Sequence, residues 1–116
     1  MSIPRLANLI DGRLQASHRD TWLDVHEPAT GSVFMQCPAS DAGDVAAAVE
    51  AARRAAPAWA STPIDQRAHH LQRLADLIAA RLEEFAALES RDSGKPLSLA
   101  RRLDIPRAVS NLRHFA

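Results

Sequence analysis

The amino-acid sequence predicts an α+β fold in which N-terminal β-hairpins are followed by three or four helices. Three observations predict it. Before Ser40, short runs of alternating apolar and polar residues are separated by turn residues. After Ser40, apolar residues recur at three- and four-residue steps. Pro57, Pro63, Gly94, Pro96 and Pro106 stand at the boundaries between those helical runs. The expected organisation is a single domain over residues 1–116, with a strand region at 1–39 and a helical region at 40–116.

Each element has a local reason. In "NLIDGRLQAS" the Asp11-Gly12 pair lies between two short apolar runs, a strong hairpin signal. In "TWLDVHEPATGSVFMQCPAS" two alternating segments, Thr21–His26 and Ser32–Cys37, flank a turn at Pro28-Ala29-Thr30-Gly31. Asn8–Asp24 and Thr21–Cys37 therefore read as antiparallel strand material. Ser40 or Asp41 caps the first helix, Asp41 and Asp44 sit at its positive end, and Arg53 and Arg54 fall in its last turn before Pro57 ends it. Thr62 is expected as the next cap, with Pro63 at the first helical position. From there Ile64, Leu71, Leu74, Ile78, Leu82 and Phe85 mark one stripe, and the longest helix spans about Pro63 to Ser93, a length that suggests a bent helix or two stacked ones. Gly94 suits a left-handed C-terminal stop, Pro96 opens a short helix and Pro106 a final one running to Ala116.

Composition narrows the function classes. Fourteen basic residues against fourteen acidic ones leave no net charge, which argues against nucleic acid and against an anionic membrane surface as partners. Cys37 is the one cysteine, so no intramolecular disulfide forms, and a reducing, cytoplasmic setting is expected. No apolar run approaches the length of a signal peptide core or a membrane span. Aromatic residues make up only 4% of the chain, so its core must be built from Ala and Leu, which bury less apolar area per residue.

Few residues invite a chemical role. The Gly94-Lys95 pair in "ESRDSGKPLSLARR" fails as a phosphate loop. Glu89 stands where the first glycine is needed, Pro96 replaces the hydroxyl residue, and a helix rather than a strand precedes it. A helix stop is the better reading. Cys37 lies on a predicted strand beside Pro38 with no activating histidine at hand, so it reads as a buried structural thiol. His69 and His70 are adjacent on a helix and point about 100° apart, which does not suit one shared ion. Glu83-Glu84 and Arg101-Arg102 read as solvated charged faces. No set of nucleophile, base and oxyanion donors assembles, so no catalytic residue is assigned.

Taken in order, "NLIDGRL", "EPATGSVF", "SDAGDVAAAVEAARRAAPAWASTP", "QRAHHLQRLADLIAARLEEFAALESRDSGKPL" and "DIPRAVSNLRHFA" resemble the N-terminal segment of NAD(P)-dependent aldehyde dehydrogenases. The tail from Glu89 is most similar to the branch oxidising 2-hydroxymuconic and 2-aminomuconic semialdehydes. The resemblance implies an incomplete piece of a coenzyme-binding domain, with "SGKP" as a structural loop on its outside. It implies NAD or NADP as the coenzyme of the full-length family and no cofactor site within this chain. The thiolate nucleophile, general-base glutamate and coenzyme-binding segments of the family match nothing here, and Cys37 aligns with none of them.

The final helix stops at Ala116 without a Gly, polar tail or cap, as a truncated or split reading frame would. The chain is therefore expected to be inactive alone. Its expected partners are the remainder of a split aldehyde dehydrogenase or further copies of itself. The alternative is a non-enzymatic helical interaction module. The resemblance also implies a monovalent-cation site, with main-chain carbonyls at Val25 and His26 and the carboxylate of Asp104 as ligands. Asp104 reads equally as the N-cap of the helix at Ile105-Pro106.

Overall fold

Asp11 and Gly12 both adopt positive φ, 52° and 71°, the geometry of a tight two-residue turn whose twist matches its strands. They join β1 (Asn8–Ile10) to β2 (Arg13–Gln15) with Leu9 opposite Leu14. A second antiparallel pair, β3 (Trp22–His26) and β4 (Val33–Pro38), runs in register from Trp22 opposite Pro38 to Val25 opposite Met35. In this computed structural model, which describes residues 3–116, the hairpins are separate two-stranded sheets. Residues 16–21 are not strand, against expectation. There the hydroxyl of Ser17, itself buried, pairs with the backbone of Thr21 at 3.3 Å, and Asp20 takes φ 50°. A local side-chain turn has displaced the ladder.

The chain forms two compact units. One comprises the residues up to Glu27 together with Gly31–Ser61, and the other Pro28–Thr30 together with Thr62–Ala116. The first unit holds both hairpins and helix α1 (Ala42–Ser61). Residues 4–6 run alongside β4, where Leu6 N–H donates to Gln36 O at 2.8 Å and Gln36 N–H to Pro4 O at 2.9 Å. The Arg5 guanidinium then lies 4.6 Å over the Trp22 ring. At the start of α1 the Asp41 carboxylate accepts from Gly43 N–H at 2.8 Å and Asp44 N–H at 3.2 Å, while Asp44 accepts from Asp41 N–H at 2.9 Å. Asp41, not Ser40, is the cap. The Ser40 hydroxyl accepts instead from the Asn8 amide.

Pro57 does not end α1, which continues to Ser61. Proline removes one helical hydrogen bond, but residues 52–61 are all exposed, so water can satisfy the carbonyl left over. Arg54 is therefore mid-helix, and it reaches Asp11 of the first turn at 3.6 Å.

The second unit is helical. The long helix expected from Pro63 to Ser93 is two: α2 (Ile64–Ala80) and α3 (Leu82–Ser93), broken at Arg81, whose φ of −115° and ψ of 27° leave the helical region. Pro63 precedes α2 with extended geometry, at φ −52° and ψ 144°, and so stands at the cap position instead of joining the helix. A short turn, α4 (Leu97–Leu99), leads into a π-helical segment (Ala100–Asp104) and then α5 (Ile105–Phe115). Neither Gly nor Pro marks the break; α2 packs mainly on α5, and α3 mainly on the π segment.

The buried apolar residues are Phe34, Ala51, Ala75, Ala86, Ala100 and Val109, and among the described residues no large side chain is fully buried. Meanwhile Ile64, Leu14 and Phe115 are 77%, 74% and 78% exposed. Each such side chain forgoes about 1.5–3 kcal/mol that full burial would contribute.

Candidate functional site

The Gly94-Lys95 loop is tied down at every residue. Gly94 takes φ 74° and donates its N–H to Ser90 O at 3.0 Å, closing α3. The Ser93 hydroxyl donates to Glu89 O at 2.6 Å and accepts from Lys95 N–H at 3.3 Å. The Ser90 hydroxyl donates to Lys95 O at 2.7 Å. Pro96 then offers its carbonyl to Leu99 N–H at 2.8 Å and Ala100 N–H at 3.2 Å, starting the next helical turn. The backbone N–H groups of Gly94 and Lys95 are thus spent inside the loop, and neither is aimed outward at a phosphate.

The Lys95 side chain points back along the fold and places Nζ 2.6 Å from Asp104 Oδ2, with the two side chains 34% and 23% exposed. Asp104 closes the π segment, where Ile105 N–H reaches Ala100 O five residues back. Asp104 is itself helical, at φ −70° and ψ −51°, and makes no side-chain cap bond to α5. The capping alternative fails for that reason. A cap needs extended geometry to turn its carboxylate onto the following N–H groups.

Val25 and His26 stand at the end of β3 in the first unit, and Asp104 belongs to the second. The register slips between them: Val25 faces Met35 but His26 faces Val33, which leaves Phe34 as an extra, buried residue on β4. A bulge turns backbone groups out of the regular ladder, and the Val25 and His26 carbonyls lie at it. Beyond the bulge, Glu27 N–H donates to Ser32 O at 2.9 Å and Gly31 N–H to Glu27 O at 2.8 Å.

The remaining candidates carry little chemistry. Cys37 sits opposite Leu23 in the sheet and is half-buried, more open than its reading as a buried thiol. His69 and His70 are exposed beside Asp65 and Gln66, with ring centres 6.4 Å apart. Among the described residues no three His, Cys, Asp or Glu side chains converge as a metal site.

Sequence reasoning missed the tertiary charge pairs. Glu83 meets Arg101 at 2.7 Å, and Asp76 on α2 meets Arg113 on α5 at 2.8 Å. Residues read as solvated faces in fact connect elements. Only a knowledge of which helices pack together could have revealed them.

Comparison with known proteins gives this geometry its context. Residues 14–116 match the aldehyde dehydrogenase family. The chain is 48% identical over 111 residues to the 2-aminomuconic semialdehyde dehydrogenase of Bos taurus, covering 96% of this chain and 22% of that protein. It superposes on an aldehyde dehydrogenase of Bacillus cereus, solved as its NAD+ complex, with TM-score 0.93 at 34% identity, over 96% of this chain and 23% of that one. Against PnpE of Pseudomonas sp. WBC-3 in complex with nicotinamide adenine dinucleotide, the TM-score is 0.91 at 38% identity, over 98% and 23%. The chain therefore spans about a fifth of the length of the curated relatives it matches. Sequence and backbone path agree over nearly all its residues, and the chain belongs to the aldehyde dehydrogenase family.

Proposed function

We propose that this chain is a structural segment of an NAD-dependent aldehyde dehydrogenase acting on a muconic semialdehyde, and that it is inactive by itself. The likeness over almost the whole chain to a 2-aminomuconic semialdehyde dehydrogenase carries the reading. The family reaction needs a thiolate to attack the aldehyde, a nicotinamide to take the hydride and a carboxylate to activate water. Cys37 lies in a sheet opposite Leu23 with no base assigned to it, and the Gly94-Lys95 loop spends its N–H groups internally. What these residues do supply is scaffold: two hairpins and a helical layer held by local caps and ion pairs.

Exposed apolar side chains support a polypeptide partner. Ile64, Leu77 and Phe115, at 77%, 54% and 78% exposed, suit coverage by further polypeptide of the same enzyme. Self-association through the same residues is the second reading, that of a non-enzymatic interaction module. A cytoplasmic setting accords with both, and no helix among the described residues is long and apolar enough to cross a membrane.

The test is NADH production from NAD and 2-aminomuconic or 2-hydroxymuconic semialdehyde. The chain is assayed alone and mixed with any polypeptide encoded immediately downstream. No turnover alone and turnover in the mixture is the expected result. Turnover by the chain alone sinks the proposal, and Cys37→Ser would then show whether that thiol is the nucleophile.

A further inference from the structure

Thr21 O accepts from Ala39 N–H at 2.8 Å and Glu27 N–H donates to Ser32 O at 2.9 Å, so the backbone at both ends of β3 is turned toward β4. Backbone direction alternates along an antiparallel strand. Leu23 and Val25 therefore share that direction, and the N–H and C=O groups of Trp22, Asp24 and His26 face the other way. The outer side of β4 is taken by residues 4–6, which exchange hydrogen bonds with Gln36. On the outer side of β3 no further strand pairs among the described residues. Such a row of open donors and acceptors is a template for another strand.

That edge is complementary to itself. Two β3 strands related by a twofold axis run antiparallel, and the position of the axis sets which residues meet. An axis through Leu23 sets Asp24 opposite Trp22, and one through Asp24 sets carboxylate opposite carboxylate, which is unfavourable. An axis through Val25 sets each Asp24 opposite His26 of the other copy. Both residues face outward, so each such pair exchanges both of its N–H···O bonds. The Asp24 and His26 side chains are exposed. Asp24 is also steadied, because its Oδ1 accepts from Gln36 Nε2 at 2.8 Å and Gln36 Oε1 accepts from Arg5 Nε at 3.1 Å. Its Oδ2 is left to accept from an imidazole N–H. On the opposite face the same register brings Val25 against Val25, with Leu23, 57% exposed in the single chain, on the diagonal.

We propose that the outer edge of β3 is a docking surface for a second copy of this chain, paired antiparallel about Val25 with Asp24 against His26 in both directions. This surface is distinct from Ile64, Leu77 and Phe115. It does not depend on whether the chain is a segment of a larger enzyme, because its readout is mass and not turnover.

Sedimentation equilibrium of the full chain tests it by exchanging charges. The wild type is expected to show a monomer–dimer equilibrium. Asp24→Lys removes the acceptor and His26→Asp sets carboxylate against carboxylate, so each alone is expected to raise the dimer Kd about tenfold. An equimolar mixture of the two variants restores dimerisation, because the introduced lysine then faces the introduced aspartate while the native aspartate faces the native histidine. The double variant Asp24→Lys/His26→Asp recovers it as well. Amide hydrogen exchange at Asp24 and His26 is expected to slow as wild-type concentration rises. Where association through the helices obscures the comparison, Ile64→Lys and Leu77→Glu are introduced into every chain. A chain that is then monomeric throughout, single variants that dimerise like the wild type, or exchange at Asp24 and His26 that ignores concentration overturns the proposal.

Discussion

Gly94 lies against Pro28 so closely that a Cβ built at position 94 stands 3.0 Å from Pro28 Cβ and 3.4 Å from its Cγ. Two requirements thus meet at one glycine. Its φ of 74° is a left-handed conformation that L side chains adopt at a penalty, and the space beside it is filled by a rigid ring.

Gly94→Ala is therefore expected to destabilise the chain by more than the conformational penalty of about 1–2 kcal/mol alone. Gly12→Ala is the control. Gly12 has a similar φ of 71° but nothing within 4 Å, so only the conformational part should be lost. Urea midpoints compare the two, and equal losses would show that Pro28 simply moves aside.

Pro57 offers the opposite sign. It interrupts the hydrogen-bond ladder inside α1 among exposed residues, where a proline destabilises a helix by about 3 kcal/mol. Part of that is offset because proline also restricts the unfolded chain, by about 1 kcal/mol. Pro57→Ala is expected to raise stability by roughly 1–2 kcal/mol, seen as a higher urea midpoint with an unchanged slope. A lower midpoint would mean that the ring itself makes contacts worth more than the missing bond.

Acid should weaken the start of α1. Backbone N–H groups of Asp44 and Gly43 donate to the Asp41 carboxylate and hold its pKa below the ordinary value, with the Arg19 guanidinium adding a smaller effect. Glu84 is shifted the same way by its hydrogen bond from Arg81. A carboxylate whose pKa is lower folded than unfolded contributes fully above the unfolded value, about 3.9 for Asp and about 4.3 for Glu. That contribution is lost as pH falls through the lower folded value. Stability should hold from neutral pH to about 4–5 and then decline. Asp41→Asn, which keeps a cap acceptor without the charge, should flatten the decline measured by urea midpoints across the acid range.

The uncovered apolar residues predict association. Leu77→Glu and Ile64→Lys place charge at positions 54% and 77% exposed, where little packing is lost. Both substitutions should lower the apparent mass in light scattering or sedimentation and leave helix content by circular dichroism unchanged. A loss of helix content would show that these side chains support the fold itself.

Local chemistry by itself determined much of this protein. Asp11-Gly12 specified its turn because those two residues tolerate positive φ, and the Pro28–Gly31 turn and the Gly94 stop were legible for related reasons. Asp41 was legible as one of two caps, and the ordered segments from Asn8 to Ala116 carried the family. The tertiary structure decided what depends on neighbours distant in sequence. The break falls at Arg81, between a helix packed mainly on α5 and one packed mainly on the π segment, and no residue there announces it. The passage of α1 through Pro57 depends on exposure, which no local pattern states. Above all, Lys95 and Asp104 meet across a loop and a π turn whose geometry exists only once the helices are packed. Turns and caps are fixed by energies within a few residues, whereas helix breaks and charge pairs are set by which surfaces the folded chain brings together.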